Sequence, residues 1–223
     1  MGVYYGYVTD GIFQNKQEVS DHAIQQGAAP GRLRYRDING DGRITEDDQC
    51  IIGDPNPDLT MGLNLDFKYK GLTLSMFFNS ELGFEIINST KNLTDFAWNG
   101  LASANNRGEA ILNAWTPQNP NATIPAVSLS NNNNENRMST YFVEDGSYFK
   151  MKYIKLSYDL PQRVLKPWHC QNLNIFAQVE NIFTITKYSG LDPELPLGGY
   201  GARVDSGAYP RARTFTLGLN LTF

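Results

Sequence analysis

Strict alternation of apolar and polar residues, in runs of about ten, constrains this chain most, because a period of two belongs to a strand with two unlike faces. In LTMGLNLDFKY, Leu59, Met61, Leu63, Leu65, Phe67 and Tyr69 are apolar, while Thr60, Gly62, Asn64, Asp66 and Lys68 fill the other face. LTLSMFFN follows with Leu72, Leu74, Met76 and Phe78, and only Lys70-Gly71 separates the two runs. A two-residue hairpin sets Tyr69 opposite Leu72, so both share a face, as the pattern requires. The last residues, TFTLGLNLTF, repeat the scheme, and NLNIFAQVENIFTIT keeps Leu173, Ile175, Ala177, Val179, Phe183 and Ile185 in phase, broken only at Asn181. In SYFKMKYIKLSYDL the apolar set switches from Phe149, Met151 and Tyr153 to Ile154, Leu156, Tyr158 and Leu160. One extra residue near Tyr153 restores a single face, which predicts a β-bulge there. The opening VYYGYVTDGIF is β-prone with ambiguous phase and is counted as a further strand.

The predicted fold class is therefore all-β, with about six antiparallel up-and-down strands. Each is about as long as the ~9 to 11 residues a tilted strand needs to cross a bilayer. The connections are uneven. Lys70-Gly71 and Pro161 to Gln171 are short, whereas residues 12–58, 80–146 and 187–213 are long, with short helices expected around Gln17 to Gln26 and Glu109 to Trp115. Tight turns on one side and large loops on the other are what an outer-membrane barrel shows. If Phe223 ends on the periplasmic side, parity places all three long loops outside. Asp66, Lys68 and Glu180 then face the lumen, and Phe67, Tyr69 and Tyr158 fall where an aromatic girdle sits.

Composition excludes less than it first suggests. No stretch approaches ~18 apolar residues, so no transmembrane helix is expected, and MGVYYGYVTDGIF lacks the features of a signal peptide. Mean hydropathy of −0.40 is compatible with a membrane barrel, whose strands alternate. A net charge of −4 without a basic run gives no footprint for nucleic acid. Cys50 and Cys170 are too few for a disulfide framework, and a single bridge between them stays open. His22 and His169, the only histidines, lie in no metal or triad motif and are read as surface residues, so no enzyme is expected. A soluble β-sandwich, such as a calcium-stabilised carbohydrate-binding module, would show the same alternation.

DINGDGRITEDD fits the calcium loop D-x-[DN]-x-[DN]-G-x5-E with Asp in the last place. Asp37, Asn39 and Asp41, the Arg43 carbonyl and Asp48 would supply the oxygens that hard Ca²⁺ takes, Gly42 permits the sharp turn, and Thr45 could reach the ion directly or through water. No EF-hand helices flank the loop, so a structural ion is expected; a solvated acidic turn is the plainer reading. Trp98, Trp115 and Tyr141, in or beside the longest loop, are candidate ligand contacts because aromatic rings stack on sugars, with packing inside the loop as the alternative.

YGYVTDGIFQ, GRLRYRDINGDGRITEDDQCIIGDPNPDLTMGLNLDFKYKGLTLSMFF, DGSYFKMKYIKLSYDLP, NLNIFAQVENIFTIT and YPRARTFTLGLNLTF together resemble the carboxyl-terminal third of SusC/RagA-type TonB-dependent outer-membrane transporters. The resemblance runs collinearly over nearly all of residues 1–223; only the Asn-rich loop is generic. It implies part of a 22-stranded transmembrane barrel in the outer membrane of a Gram-negative bacterium. Its partners would be outer-membrane lipid, the remainder of its own barrel, a SusD-like surface lipoprotein and the TonB complex, for import of oligosaccharides or peptides. It also gives Phe215, Leu217, Leu219, Leu221 and Phe223 the role of a barrel-assembly signal. The plug, the TonB box and about sixteen strands of such a barrel are not in this sequence. The expectation is a portion of a larger protein that is inactive by itself, since an open edge in lipid leaves backbone groups unsatisfied.

Overall fold

A computed structural model describes residues 2–100, 106–168, 170–199 and 202–223. Its strands are β1 (Tyr4–Gly6), β2 (Thr9–Ile12), β3 (Leu33–Tyr35), β4 (Cys50–Gly53), β5 (Leu59–Tyr69), β6 (Leu72–Leu82), β7 (Glu85–Asn88), β8 (Val143–Asp145), β9 (Tyr148–Asp159), β10 (Asn172–Thr186), β11 (Val204–Asp205) and β12 (Thr214–Thr222). They fall into two compact units. One holds residues 1–55, 85–144 and 195–207, the other 56–84, 145–194 and 208–223.

The second unit is a five-stranded antiparallel sheet ordered β12-β10-β9-β6-β5, an up-and-down meander in which chain neighbours are sheet neighbours. At the β5–β6 hairpin, Lys70 (φ 47°) and Gly71 (φ 85°) are both left-handed, the pair of conformations a two-residue turn needs to match the twist of its strands. Tyr69 pairs with Leu72, as the alternation requires.

The predicted bulge is present. Against β6, Phe77 pairs with Tyr153 and Phe78 with Met151, so Lys152 is the extra residue. On β10 the partners of Tyr153 and Met151 are Glu180 and Phe183, and Asn181, where the pattern broke, takes φ 53°. The irregularities compensate and the apolar face stays continuous. One row runs Phe67–Leu74–Leu156–Ala177–Leu217 and the next Leu65–Met76–Ile154–Val179–Phe215, strand by strand across the sheet.

The opening segment is not a wall strand. It forms two short strands, β1 paired with β4 and β2 with β3, in the other unit. Its ambiguous phase has a physical reason, since short strands inside a globular unit have no long two-faced surface to maintain. That unit also holds the three-stranded sheet β11-β7-β8, with β11 parallel to β7. Segments from all three long connections meet in one core of Tyr4, Tyr7, Ile12, Leu33, Tyr35, Ile87, Phe96, Trp115 and Phe142, with Ala202 packed against it. The long loops thus fold together. The expected helices are short: Lys16–Asp21 is α-helical, capped by Asn15 accepting from the Glu18 amide, and Glu109–Asn113 is 3-10.

Candidate functional site

The two faces of the five-stranded sheet are the first functional feature. Leu63 is 50% exposed and Leu219 66%, and Leu217 and Phe215 are more exposed still. This face is therefore not the inner layer of a β-sandwich, which would bury such side chains. From Leu59 to Tyr69 the apolar residues cover ten steps of about 3.3 Å, or about 25 Å of height at a tilt of about 40°, the span of a barrel's apolar band. A shallow dip of about 280 Å³ over Ala177 is lined by Leu72, Leu156, Tyr158, Ile175 and Leu217. The opposite face is polar. Asp66 accepts from Ser75, Gln178 bonds Glu180 at 2.7 Å, and Lys155 lies 4.3 Å from the centre of the Phe176 ring.

At one end of β9, Lys150 is only 2% exposed and donates to Asp192 at 3.0 Å and Glu194 at 2.8 Å. Lys152, the bulge residue, also pairs with Glu194. Burial pushes both carboxyls up, but the backbone amides that Asp192 accepts, the lysine hydrogen bonds of Glu194 and the nearby lysine charge outweigh it and hold both below the ordinary range. No local pattern marks this ion cluster, whose partners are 42 and 44 residues apart.

In the other unit, the loop from Asp37 to Asp48 is a chain of side-chain-to-backbone turns. Asp37 accepts from the amides of Gly40 and Gly42 at 2.7 and 2.9 Å, Asn39 from Asp41 at 2.8 Å, and Asp41 from Arg43 at 2.8 Å. Asp48 is fully buried and accepts from the amides of Ile38 (2.8 Å) and Thr45 (2.7 Å), pinning the ends of the loop together. Burial raises its carboxyl, yet the amides of Thr45, Ile38 and Asn39 more than offset this and hold it below its usual value. Asn39 and Asp41 are exposed and Asp37 is half-buried. Among the described residues no three His, Cys, Asp or Glu side chains converge as a metal cluster. The donors are nonetheless all oxygens of the kind a hard cation takes, and the Asp37 and Asp41 oxygens that accept one amide each keep a second lone pair, whereas Asp48 Oδ1 accepts from both Ile38 and Asn39.

The aromatic candidates serve packing. Trp115 is 8% exposed in the unit's core, and its Nε1 donates to Gln14 at 2.8 Å, so its ring is not a stacking platform. Tyr141 packs on Phe96 and Phe142 and donates to Asp95 at 2.7 Å; burial, then the Asp95 charge, push its hydroxyl far above the ordinary value. Trp98 leans on Phe96. His22 is half-buried rather than a surface residue, its Nε2 2.9 Å from the Tyr35 carbonyl and its ring against Phe13, while His169 lies outside the described residues. Cys50 and Cys170 are both free thiols.

The Asn-rich segment, generic by composition, contains a buried polar clasp. Asn133 (1% exposed) and Glu135 (0%) meet Gln25, whose amide donates to the Leu33 carbonyl and to Asn133 Oδ1, both at 2.7 Å. Glu135 accepts from the Leu33 amide and from Arg32 Nη1, each at 2.9 Å. These partners are about a hundred residues apart, which no local pattern could reveal.

Taken together, these features define a class: a stretch of up-and-down barrel wall, apolar on one face and polar on the other, whose long connections fold into one compact unit. No protein-family model matches the chain. It is 35% identical over 231 residues to TonB-dependent receptor P3 of Formosa agariphila, an alignment covering 100% of this chain and 22% of that protein. With TonB-dependent receptor SusC of Bacteroides thetaiotaomicron it shares 30% identity over 216 residues, 96% of this chain and 20% of that protein. In fold it is similar to the RagAB peptide transporter, with a TM-score of 0.75 at 24% identity, covering 100% of this chain and 23% of that one. In sequence the chain is similar to TonB-dependent receptors, SusC among them, and in fold to the RagAB transporter, and it spans about a fifth of the length of the curated relatives it matches. Those relatives are receptors and transporters, not enzymes.

Proposed function

We propose that the chain builds part of the wall and the extracellular loops of an outer-membrane, TonB-dependent nutrient importer. The observation that carries this reading is the unbroken apolar face, exposed over the height of a bilayer's core. By analogy with SusC and RagA, the importer pairs with a SusD-like surface lipoprotein, draws energy through TonB, takes up oligosaccharides or peptides, and does not transport through these 223 residues alone. The last strand, with Phe215, Leu217, Leu219, Leu221 and Phe223 outward, serves as the assembly signal for insertion. The experiment is fractionation of the native gene product. Recovery in the outer membrane, with the slower gel migration of a closed barrel after heating, is expected; recovery in a soluble fraction overturns the reading.

The loop from Asp37 to Asp48 is proposed to hold a structural Ca²⁺ through Asp37, Asn39, Asp41 and the Arg43 carbonyl, with Asp48 closing it. The spacing and the oxygen donors support this. When bound, the ion would stiffen the loop. Calorimetric titration of the native protein should show Ca²⁺ uptake that Asp37→Ala and Asp41→Ala abolish; uptake unchanged in both variants contradicts it.

A further inference from the structure

The unit of long loops carries an open depression of about 390 Å³, lined by Ile44, Thr45 and Glu46 on one segment, Asn134, Asn136 and Arg137 on another, and Tyr7 and Gln26. Arg137 is its built feature. The guanidinium carbon lies 4.8 Å from the Tyr7 ring centre and 4.6 Å from that of Tyr35, while Nε donates to the Asn134 carbonyl at 3.0 Å and Nη2 to Asn133 at 3.2 Å. Two rings and two carbonyls therefore fix the plane of the cation before any ligand arrives. Nη1 and the second hydrogen of Nη2 remain unused, and among the described residues no carboxylate pairs with this group.

A rigid guanidinium with one open edge is a carboxylate receptor, because the fork of two N–H groups matches two carboxylate oxygens. The rest of the polar lining is of another kind. Gln26, Asn134 and Asn136 offer planar amides, Thr45 a hydroxyl and Glu46 an acceptor, the partners that ring hydroxyls need. None of these six polar residues lies in a strand whose open edge could pair with a peptide backbone.

We infer that this depression binds an acidic saccharide, with a uronate carboxylate on Arg137 and the ring hydroxyls shared among Gln26, Thr45, Asn134 and Asn136. The inference goes beyond the importer reading and rests on it only for where the sugar goes next. Its test is calorimetric titration of the detergent-purified native protein with a glucuronate-containing disaccharide, the methyl ester of that disaccharide, and a glutamate-containing dipeptide. The acid should bind with a salt-sensitive affinity, and the ester and the dipeptide roughly tenfold or more weaker, as loss of a charge-assisted hydrogen bond implies. Arg137 also supports the fold, so the diagnostic variant is Gln26→Glu, which adds a negative charge to the lining without touching the bonds of Arg137. Both ligands lose the Gln26 amide, so the diagnostic is the difference: the acid should weaken by about tenfold more than the ester. Equal binding of acid and ester, a dipeptide that binds as tightly as the sugar, or no binding in any arm by folded protein overturns the inference. Because no arm measures transport, failure here leaves the importer reading standing, and uronate binding by a protein found outside the outer membrane would do the reverse.

Discussion

Replacing Leu63 by Arg asks directly what covers the apolar face. Leu63 lies near the middle of β5, four residues from Leu59 and six from Tyr69, and is 50% exposed. In water, such a substitution at a half-exposed site changes stability by about 0.5 kcal/mol or less. At the midplane of a bilayer the same arginine costs about 2–4 kcal/mol, falling to about 0–1 kcal/mol near the interface. Position therefore matters as much as identity. Tyr69→Arg, at the hairpin end of the same face, should cost at most about 1 kcal/mol, and Asn64→Arg, on the polar face, close to nothing. The assay is reversible urea unfolding of the native protein in lipid vesicles, with the midpoint and slope fitted for each variant. A Leu63→Arg cost no larger than that of Asn64→Arg refutes the reasoning, since the two faces would then see the same surroundings.

Three further outcomes follow from particular contacts. A Cβ placed on Gly218 would collide with Phe176 Cζ, so Gly218→Ala must swing that ring away from Lys155, costing about 1 kcal/mol or more; in a Phe176→Ala background the cost should vanish, as a double-mutant cycle by urea unfolding would show. Glu135→Ala leaves the buried side of Arg32 and the Leu33 amide without their acceptor. Breaking a buried pair costs about 3–5 kcal/mol, so exchange of the Leu33 amide should quicken by roughly a hundredfold or more. The Asp48 carboxyl is held below its ordinary value of 3.8, so its stabilisation is complete above that pH and lost as pH falls through the lowered value; Thr45 amide protection should follow this course, and Asp48→Asn should abolish the dependence.

How much of this was legible in the sequence depends on the reach of each interaction. The wall strands, the Lys70-Gly71 turn and the bulge at Lys152 were readable because a period of two reports which face each residue takes, and a shift of phase marks the place where a residue must be accommodated. The short strands β1 to β4 were not, because their pairing links Tyr4 to Gly53 and Thr9 to Tyr35 across long separations. Composition misled at the Asn-rich segment. Asn133 and Glu135 read as loop residues, and only their distant partners Gln25, Arg32 and Leu33 make them interior ones. Trp115 suggested a sugar platform because a large exposed ring in a loop often is one; the three loop segments instead share a core that needs such rings. The Asp37–Asp48 turn was legible as a local motif, down to the asparagine and aspartate that brace it.

The most direct measurement places a nitroxide, one position at a time, on residues 214 to 222 of the native protein in lipid bilayers, and compares its collisions with oxygen, which dissolves in hydrocarbon, and with a water-soluble nickel complex. The account predicts oxygen maxima at Phe215, Leu217, Leu219 and Leu221 and nickel maxima at the residues between them, a clean period of two. Low accessibility to both reagents at the four apolar positions would mean that protein, not hydrocarbon, covers them, and would contradict it.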